Sequence, residues 1–422
     1  KTIEALTDVE IAEAHRSAAM YEDVELMTGE LDGFVSFLHA LDWLDLKAKD
    51  KALARLWLDG RFGDPIPIAR GRKAPEGGMA KPEEVEAFTA IWQRARALIG
   101  EERFLNWQIA FPGVWDNWAS KGREGGFDAV VGNPPWDRFE FEEVPWFEAR
   151  NRDIALASTG AIRKAKIKAL KEADDPLWED YQHASGRLLA ATSIVRSGEI
   201  YSQLNVGKLN FFKLFVERAF QLAKPGGMVG MLTPSGIASD QSSSGFFRGI
   251  AINGHLKALY DFENRRARGL DHFFPDVDSR FKFCTLIASP ARTFTAAHCA
   301  FFLHDTVEIA DPDRAFPITA SEFARVNPNT GTAPIFRSRR DMALTTAIYE
   351  RFPVLIDRSG DVSVATWPVR YAQMLNVTSD SHMFRTKMDL EEREGAWFIG
   401  GNRFQSAKGE WVPLYEGKMV QA

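Results

Sequence analysis

Phe127-Asp128-Ala129-Val130-Val131-Gly132-Asn133-Pro134-Pro135-Trp136 is the stretch on which the reading of this chain turns. Its first six residues are short, mostly apolar and closed by a glycine, the pattern of a buried parallel strand. A chemically specific turn comes next. Two consecutive prolines fix the backbone and remove two amide donors. A carboxamide, outward-pointing carbonyls and a large aromatic face remain. That set suits a planar ring bearing an exocyclic amine. The Asn133 oxygen and the Pro134 carbonyl can each accept one amine hydrogen, while Trp136 stacks on the ring. In open α/β sheets ligands bind beyond the carboxyl ends of strands, so the turn sits where a site belongs. Two plainer readings stay open: Asn-Pro is a common turn dipeptide, and Trp136 could anchor a core.

Downstream, residues 137–200 are polar and charged, as helix or loop. A helix over 209–222 carries Phe211, Phe212, Leu214, Phe215, Ala219 and Leu222, closed by Lys224-Pro225-Gly226-Gly227, with a strand Met228–Leu232 immediately after. Phe211 and Phe215 read as core or as cofactor contacts. A helix over 244–252 precedes a strand Leu256–Phe262, and a last strand Phe281–Ala288 comes after the turn Phe274-Pro275-Asp276. Strand, helix, strand, helix, strand at short spacing predicts an α/β fold with a doubly wound sheet. The two closing strands, with no clear helix between them, predict an antiparallel edge hairpin. Residues 290–360 read as a mixed connector and the last ~60 as a small β-containing domain.

Upstream, residues 1–60 read as helical, with Leu31, Phe34, Leu38, Leu41, Leu53, Leu56 and Trp57 at three- and four-residue steps. Pro65, Pro67, Gly71, Pro75, Gly77 and Gly78 predict a break. A second helix starts near Pro82, buries Val85, Phe88, Ile91, Trp92, Ala95 and Leu98, and stops at Gly100.

The 422 residues suffice for about two or three domains. Hydrophobic residues at 45% and charged residues at 26% exclude a disordered tail, a fibrous repeat and a disulfide scaffold. Two cysteines, Cys284 and Cys299, cannot staple a chain of this size, which points to a reducing compartment and the cytoplasm. No apolar run reaches the ~18 residues of a membrane span, and no signal peptide opens the chain. A net charge of −6 is not that of a nucleic-acid coat, so any such binding must use local patches. Three basic groups qualify: Arg163, Lys164, Lys166, Lys168 and Lys171; Arg265, Arg266 and Arg268; Arg337, Arg339 and Arg340. For the first, a solvated helix face is an equal alternative. The eight histidines show no metal spacing. Neither cysteine follows a proline as a cytosine-C5 nucleophile would.

The quoted stretch resembles motif IV of the S-adenosylmethionine-dependent amino-methyltransferases, which flip an adenine out of DNA and methylate its N6 amine. Further blocks resemble the same enzymes in order: Asn210–Ala219, Lys224–Pro234, Phe262-Glu263-Asn264-Arg265, Phe274-Pro275-Asp276-Val277 with Phe281-Lys282-Phe283, Asn327-Pro328-Asn329-Thr330 with Pro334-Ile335-Phe336-Arg337, and Pro413-Leu414-Tyr415-Glu416-Gly417-Lys418-Met419. Residues 101–422 thus resemble the large gamma-class N6-adenine methylases of restriction–modification (type IIG-like) and BREX-type phage-defence systems. The resemblance implies a Rossmann-like methyltransferase sheet and direct methyl transfer, with Asn133, Pro134, Pro135 and Trp136 catalytic and Asp128, Phe211 and Phe215 toward the cofactor; a purely structural place for Asp128 in the strand stays open. It implies S-adenosylmethionine as cofactor and DNA as partner, with other subunits of a restriction or phage-defence system as further candidates and no membrane. The expected division is 1–100 helical, 101–290 catalytic core, 291–360 connector and 361–422 the start of a target-recognition domain. The family's Gly-rich cofactor loop has no counterpart; Glu76-Gly77-Gly78-Met79 is a poor match. With Lys1 in first place, the expectation is a fragment that begins after that loop and stops inside a larger protein. Alternatives are methylation of another planar amine or amide (guanine in rRNA, glutamine in protein, cytosine N4) and a non-catalytic DNA-binding module.

Overall fold

The computed structural model describes residues 11–44, 46–115, 125–197, 200–265, 271–358, 360, 362–369, 375–376 and 378–415. The chain divides into two compact units between Val364 and Ala365.

Four helices open the first unit: α1 (Ile11–Trp43), α2 (Ala48–Arg55), α3 (Pro65–Arg70) and α4 (Pro82–Glu102). Phe37, Trp57, Phe62 and Phe88 are fully buried between them, Phe62 stacked on Phe88 at 4.2 Å. The inner face of α1 differs from expectation. Gly29, Gly33, Ser36, Phe37 and Ala40 are buried there, whereas Leu31 is 47% exposed. The small residues make room for Arg70, whose Nη1 donates to the Gly29 carbonyl at 2.7 Å. A Cβ at Gly33 would stand 2.2 Å from the Arg70 Cδ. Leu31, two residues from Gly29 on a 100° step, faces away. The expected break at Pro65 and Pro67 is the short helix α3: Asp64 caps it from the Ile66 N–H at 3.1 Å, and Gly71 at φ +73° ends it. α4 runs past Gly100 to Glu102, where Arg103 takes the left-handed conformation instead.

After α5 (Trp107–Ala110) comes the sheet, with six strands in the order β1-β2-β4-β3-β5-β6. These are β1 (Phe127–Gly132), β2 (Ala223–Pro234), β3 (Leu256–Glu263), β4 (Lys282–Ala288), β5 (Ala297–Leu303) and β6 (Ala315–Ile318). β1 and β2 are parallel, as are β3 and β5; β4 is antiparallel to β2 and β3, and β6 to β5. The α/β reading holds, with three corrections. β1 is not buried: among the described strands it pairs only with β2, and Asp128, Ala129 and Val131 are exposed. The β3–β4 hairpin is antiparallel but lies inside the sheet, because β5 and β6 from the expected connector extend it. The Lys224–Gly227 turn lies within β2 and not ahead of it. There the register jumps from Phe127 opposite Ala223 to Ala129 opposite Met228. A Cβ at Gly227 would come within 2.7 Å of the Phe127 carbonyl, so only glycine lets the strands close up.

Helices α6 (Glu143–Glu148), α7 (Arg152–Ala155), α8 (Gly160–Glu172) and α9 (Pro176–Ser197) fill the segment after β1. α10 (Phe211–Leu222) leads into β2; α11 (Gly236–Ser239) and α12 (Ser244–Ile252) join β2 to β3; α13 (Ala320–Val326) and α14 (Arg339–Arg351) come after β6. The main core joins Phe212, Val216, Val229, Phe247, Leu259, Leu286 and Phe301. The second unit holds α15 (Lys387–Glu392) and three antiparallel strands, Trp397–Gly400, Arg403–Ser406 and Gly409–Trp411, around Leu390, Ala396 and Phe404. Among the described residues no helix is long and apolar enough to cross a membrane.

Candidate active site

The Asn133–Trp136 turn leaves the carboxyl end of β1. Asn133 and Pro135 are exposed, Pro134 is buried and Trp136 is half-buried. Among the described residues the Asn133 carboxamide has no hydrogen-bond partner. Trp136 is firmly seated. Its Nε1 donates to the Leu232 carbonyl at 3.4 Å, and its ring lies near-parallel to Phe281 at 5.6 Å and Phe283 at 6.1 Å, with Phe274 edge-on at 5.0 Å. The anchor role is thus visible, and Phe281, 39% exposed, extends the aromatic surface outward.

The next residues tie the turn to α10. The Phe211 N–H donates to the Asp137 carbonyl at 3.1 Å and the Phe139 N–H to the Leu209 carbonyl at 3.0 Å. Phe139 meets Phe211 edge-on at 4.8 Å. Phe211 therefore stands beside the exit of the turn. Phe215, one helical turn on, is 47% exposed, so it is not the core residue its helical spacing allowed. Buried on α10 are Phe212, Lys213, Leu214, Val216, Glu217, Ala219 and Leu222.

Asp128 is not brought to this site. It stands near the start of β1, four residues before its end at Gly132, or about 13 Å along a strand. There it pairs with Lys224, whose hydrogen bond and charge hold the carboxyl below the usual range.

The basic groups are largely engaged. Arg163 pairs with Glu143 at 3.0 Å, the Lys166 Nζ donates to the Asp153 carbonyl at 2.8 Å, Lys168 meets Glu172 at 3.4 Å, and Lys171 lies over Trp178 at 5.8 Å. These contacts favour the solvated helix face over a phosphate track. Arg265 pairs with Glu263; Arg266 and Arg268 lie outside the described residues, as do Glu416–Met419. Arg337 lies over Phe302 at 5.1 Å, while Arg339 and Arg340 are exposed at the start of α14. Both cysteines are buried, and burial pushes the Cys284 thiol up to about 12 and raises Cys299 further, which leaves neither as a nucleophile. Among the described residues no cluster could hold a metal ion.

Two features escape the sequence pattern. Phe281 and Phe283 alternate around Lys282, which places both rings on one face, toward Trp136. Glu217 lies buried with Lys213 on the inner face of α10, and charged residues at core-facing helix positions are the signal that could have marked it.

The family described as Eco57I restriction-modification methylase matches residues 45–155 and 194–267. The two blocks contain β1, the Asn133–Trp136 turn, α10, β2 and β3; the segment between them holds α8 and most of α9. The match starts earlier than the expected 101 and ends before the Phe274–Phe283 and later blocks. Among solved structures the chain is similar to the type I restriction-modification system methyltransferase subunit from Streptococcus thermophilus, at 10% identity over 69% of this chain and 59% of that one, with a TM-score of 0.29. It is similar too to the type IIG restriction endonuclease BpuSI, at 10% identity over 77% of this chain and 43% of that one, with a TM-score of 0.22. The chain thus spans less than two thirds of either protein. No curated protein matches the sequence.

Proposed function

We propose that the chain carries the amine-accepting part of a DNA methyltransferase site that acts on the N6 amine of a flipped adenine, in a restriction–modification or phage-defence system. The observation that carries this reading is the Asn133 carboxamide, exposed and with no partner among the described residues, beside the proline-fixed backbone of Pro134 at the carboxyl end of β1. The match to a restriction-modification methylase family over that same turn supports a DNA methyltransferase. In this reading the Asn133 oxygen and the Pro134 carbonyl accept the two amine hydrogens. The nitrogen lone pair then leaves ring conjugation and points out of the plane. The base must leave the duplex because its amine is shielded there. Trp136, held by Phe281 and Phe283, places an aromatic surface beside the turn, and Phe211 and Phe215 offer apolar surface toward a cofactor.

S-adenosylmethionine is the methyl donor of this reading and supplies an electrophilic methyl when bound. The described residues do not build a cradle for it at the turn. Asp128 is engaged by Lys224 at the far end of β1, and the segment at Gly78 is tied to Arg61, whose carbonyl accepts the Met79 N–H at 3.3 Å. The fit is to the amine side of the reaction.

The test is methylation of unmethylated DNA by the full-length protein with S-adenosylmethionine, beside Asn133→Ala. N6-methyladenine from the wild type and a loss of about 10²-fold or more in the variant is expected. Intact adenine across varied DNA would remove the reading and move another planar substrate or a binding role ahead.

A further inference from the structure

We propose that Glu217 is a positioning residue for the Asn133–Trp136 turn. It sits on the inner face of α10, 4% exposed. Its carboxylate accepts three consecutive backbone amides: Ser202 at 2.7 Å and Gln203 at 3.1 Å on Oε1, and Leu204 at 2.8 Å on Oε2. Leu204 is fully buried in the main core beside it. A charged acceptor for three adjacent N–H groups fixes that segment more firmly than neutral partners would.

The chain leaving this clamp runs directly to the turn. Leu209 accepts the Phe139 N–H, the bridge partner of Asn210 is Arg138, and Phe211 donates to Asp137. Residues 204–211 are therefore tied to α10 at both ends, by the Glu217 carboxylate and by the covalent chain. Between those ends they grip the three residues that come after Trp136. Arg196 holds the same segment from outside through the Asn205 and Gly207 carbonyls. Glu217 thus sets where the turn stands relative to Phe211 and Phe215 without reaching any substrate. The catalytic consequence rests on the methyltransferase reading; the mechanical coupling does not.

The experiment is Glu217→Gln in the full-length protein. It keeps the shape of the side chain but turns one acceptor oxygen into a donor facing an N–H. Hydrogen exchange at Ser202–Leu204, Phe139 and Phe211 is expected to rise about tenfold or more. Leu232 and Thr285, paired in the β2–β4 ladder, are expected to stay protected. The kcat for methyl transfer is expected to fall about tenfold with KM for DNA unchanged. Unchanged exchange at Phe139 and Phe211 overturns the proposal. An equal rise in the ladder assigns Glu217 to the fold alone and overturns it as well. A wild type without methyl transfer removes the methyltransferase reading, while the exchange result still decides the coupling. Should the Gln variant not fold, Arg196→Ala loosens the segment from its exposed side, and no rise at Phe139 would count against the proposal equally.

Discussion

The turn after β1 and the loop after β3 each place an asparagine one residue past the end of a strand, and the two side chains have opposite fates. Asn264 is fully buried. Its Nδ2 lies within hydrogen-bond distance of the carbonyls of Phe274 at 2.9 Å, Val277 at 2.8 Å and Asp278 at 3.3 Å, and its Oδ1 accepts the Phe274 N–H at 2.8 Å. Two hydrogens serve three carbonyls, so every donor of that carboxamide is used. Asn133 is exposed, and none of its capacity is used by the described residues. Residue type and position on a strand are the same. What separates them is satisfaction: a filled carboxamide is a structural cross-link, and an empty one on the surface is available to a ligand.

The largest expected effect comes from exchanging the two losses. Asn133→Ala should leave stability within about 0.5 kcal/mol, since an exposed side chain with no partner contributes little, while methyl transfer falls by about 10²-fold or more. Denaturant unfolding beside a methylation assay reads both. An Asn133→Ala protein destabilised as much as its activity is reduced would erase the contrast. Asn264→Ala should do the reverse. It strands a buried N–H and two or three carbonyls, for a loss of about 2–4 kcal/mol. The aromatic loop that seats Trp136 should loosen with it, so activity falls through disorder and recovers in part at low temperature. A variant as stable as the wild type would show that water replaces the carboxamide there.

Trp136 lies between the two regions, on the β1 turn but packed against the loop that Asn264 closes. Trp136→Phe gives up the long Nε1 bond to Leu232, a loss expected below about 1 kcal/mol. Its ring would still lie on Phe281 and Phe283, so methyl transfer should fall only severalfold. A loss as large as that of Asn133→Ala would assign the indole a direct part in holding the base.

Much of this was legible in the sequence. The strand and proline-locked turn, α4 from Pro82, α10, and the β3–β4 pair all come from period and punctuation, which depend on near neighbours in the chain. What was not legible depends on distant partners. Leu31 looks inward by spacing, yet Arg70 claims the glycine face of α1. Phe127–Gly132 looks buried by composition, yet its neighbours in the described sheet lie on one side only. Lys224–Gly227 looks like a stop, yet the close approach of Gly227 to the Phe127 carbonyl makes it an irregularity within a strand. The exposed turn that carries Asn133 could be read directly, and a charged residue at position 217 could be noticed, but the Glu217 clamp could not be read, because its three amide partners lie 13 to 15 residues away. Asp128 stands apart from the turn for a related reason: residues near each other in sequence on a strand can lie at opposite ends of it.

Asp261, three residues before Asn264 on β3, gives the smallest and most specific test. It is 5% exposed, accepts the Ser235 hydroxyl, and takes the Phe302 N–H at 3.3 Å. Phe302 holds a positive φ of 53°, a conformation that needs such support. Burial pushes the Asp261 carboxyl above its ordinary range, against the opposing pull of Ser235, Phe302 and Lys282. A folded pKa above the unfolded one means the folded protein holds the proton more tightly. The contribution to stability is therefore fully present below the ordinary carboxylate range, near pH ~4, and is lost as pH rises through the raised value. Asp261→Asn removes the charge and keeps an acceptor for Phe302. Its stability relative to the wild type should climb as pH rises from about 4 toward neutrality, by less than Asn264→Ala costs. A difference that stays flat over that range would show that Asp261 titrates as an ordinary carboxylate, and that buried polar groups at the end of β3 are solvated more than their burial implies.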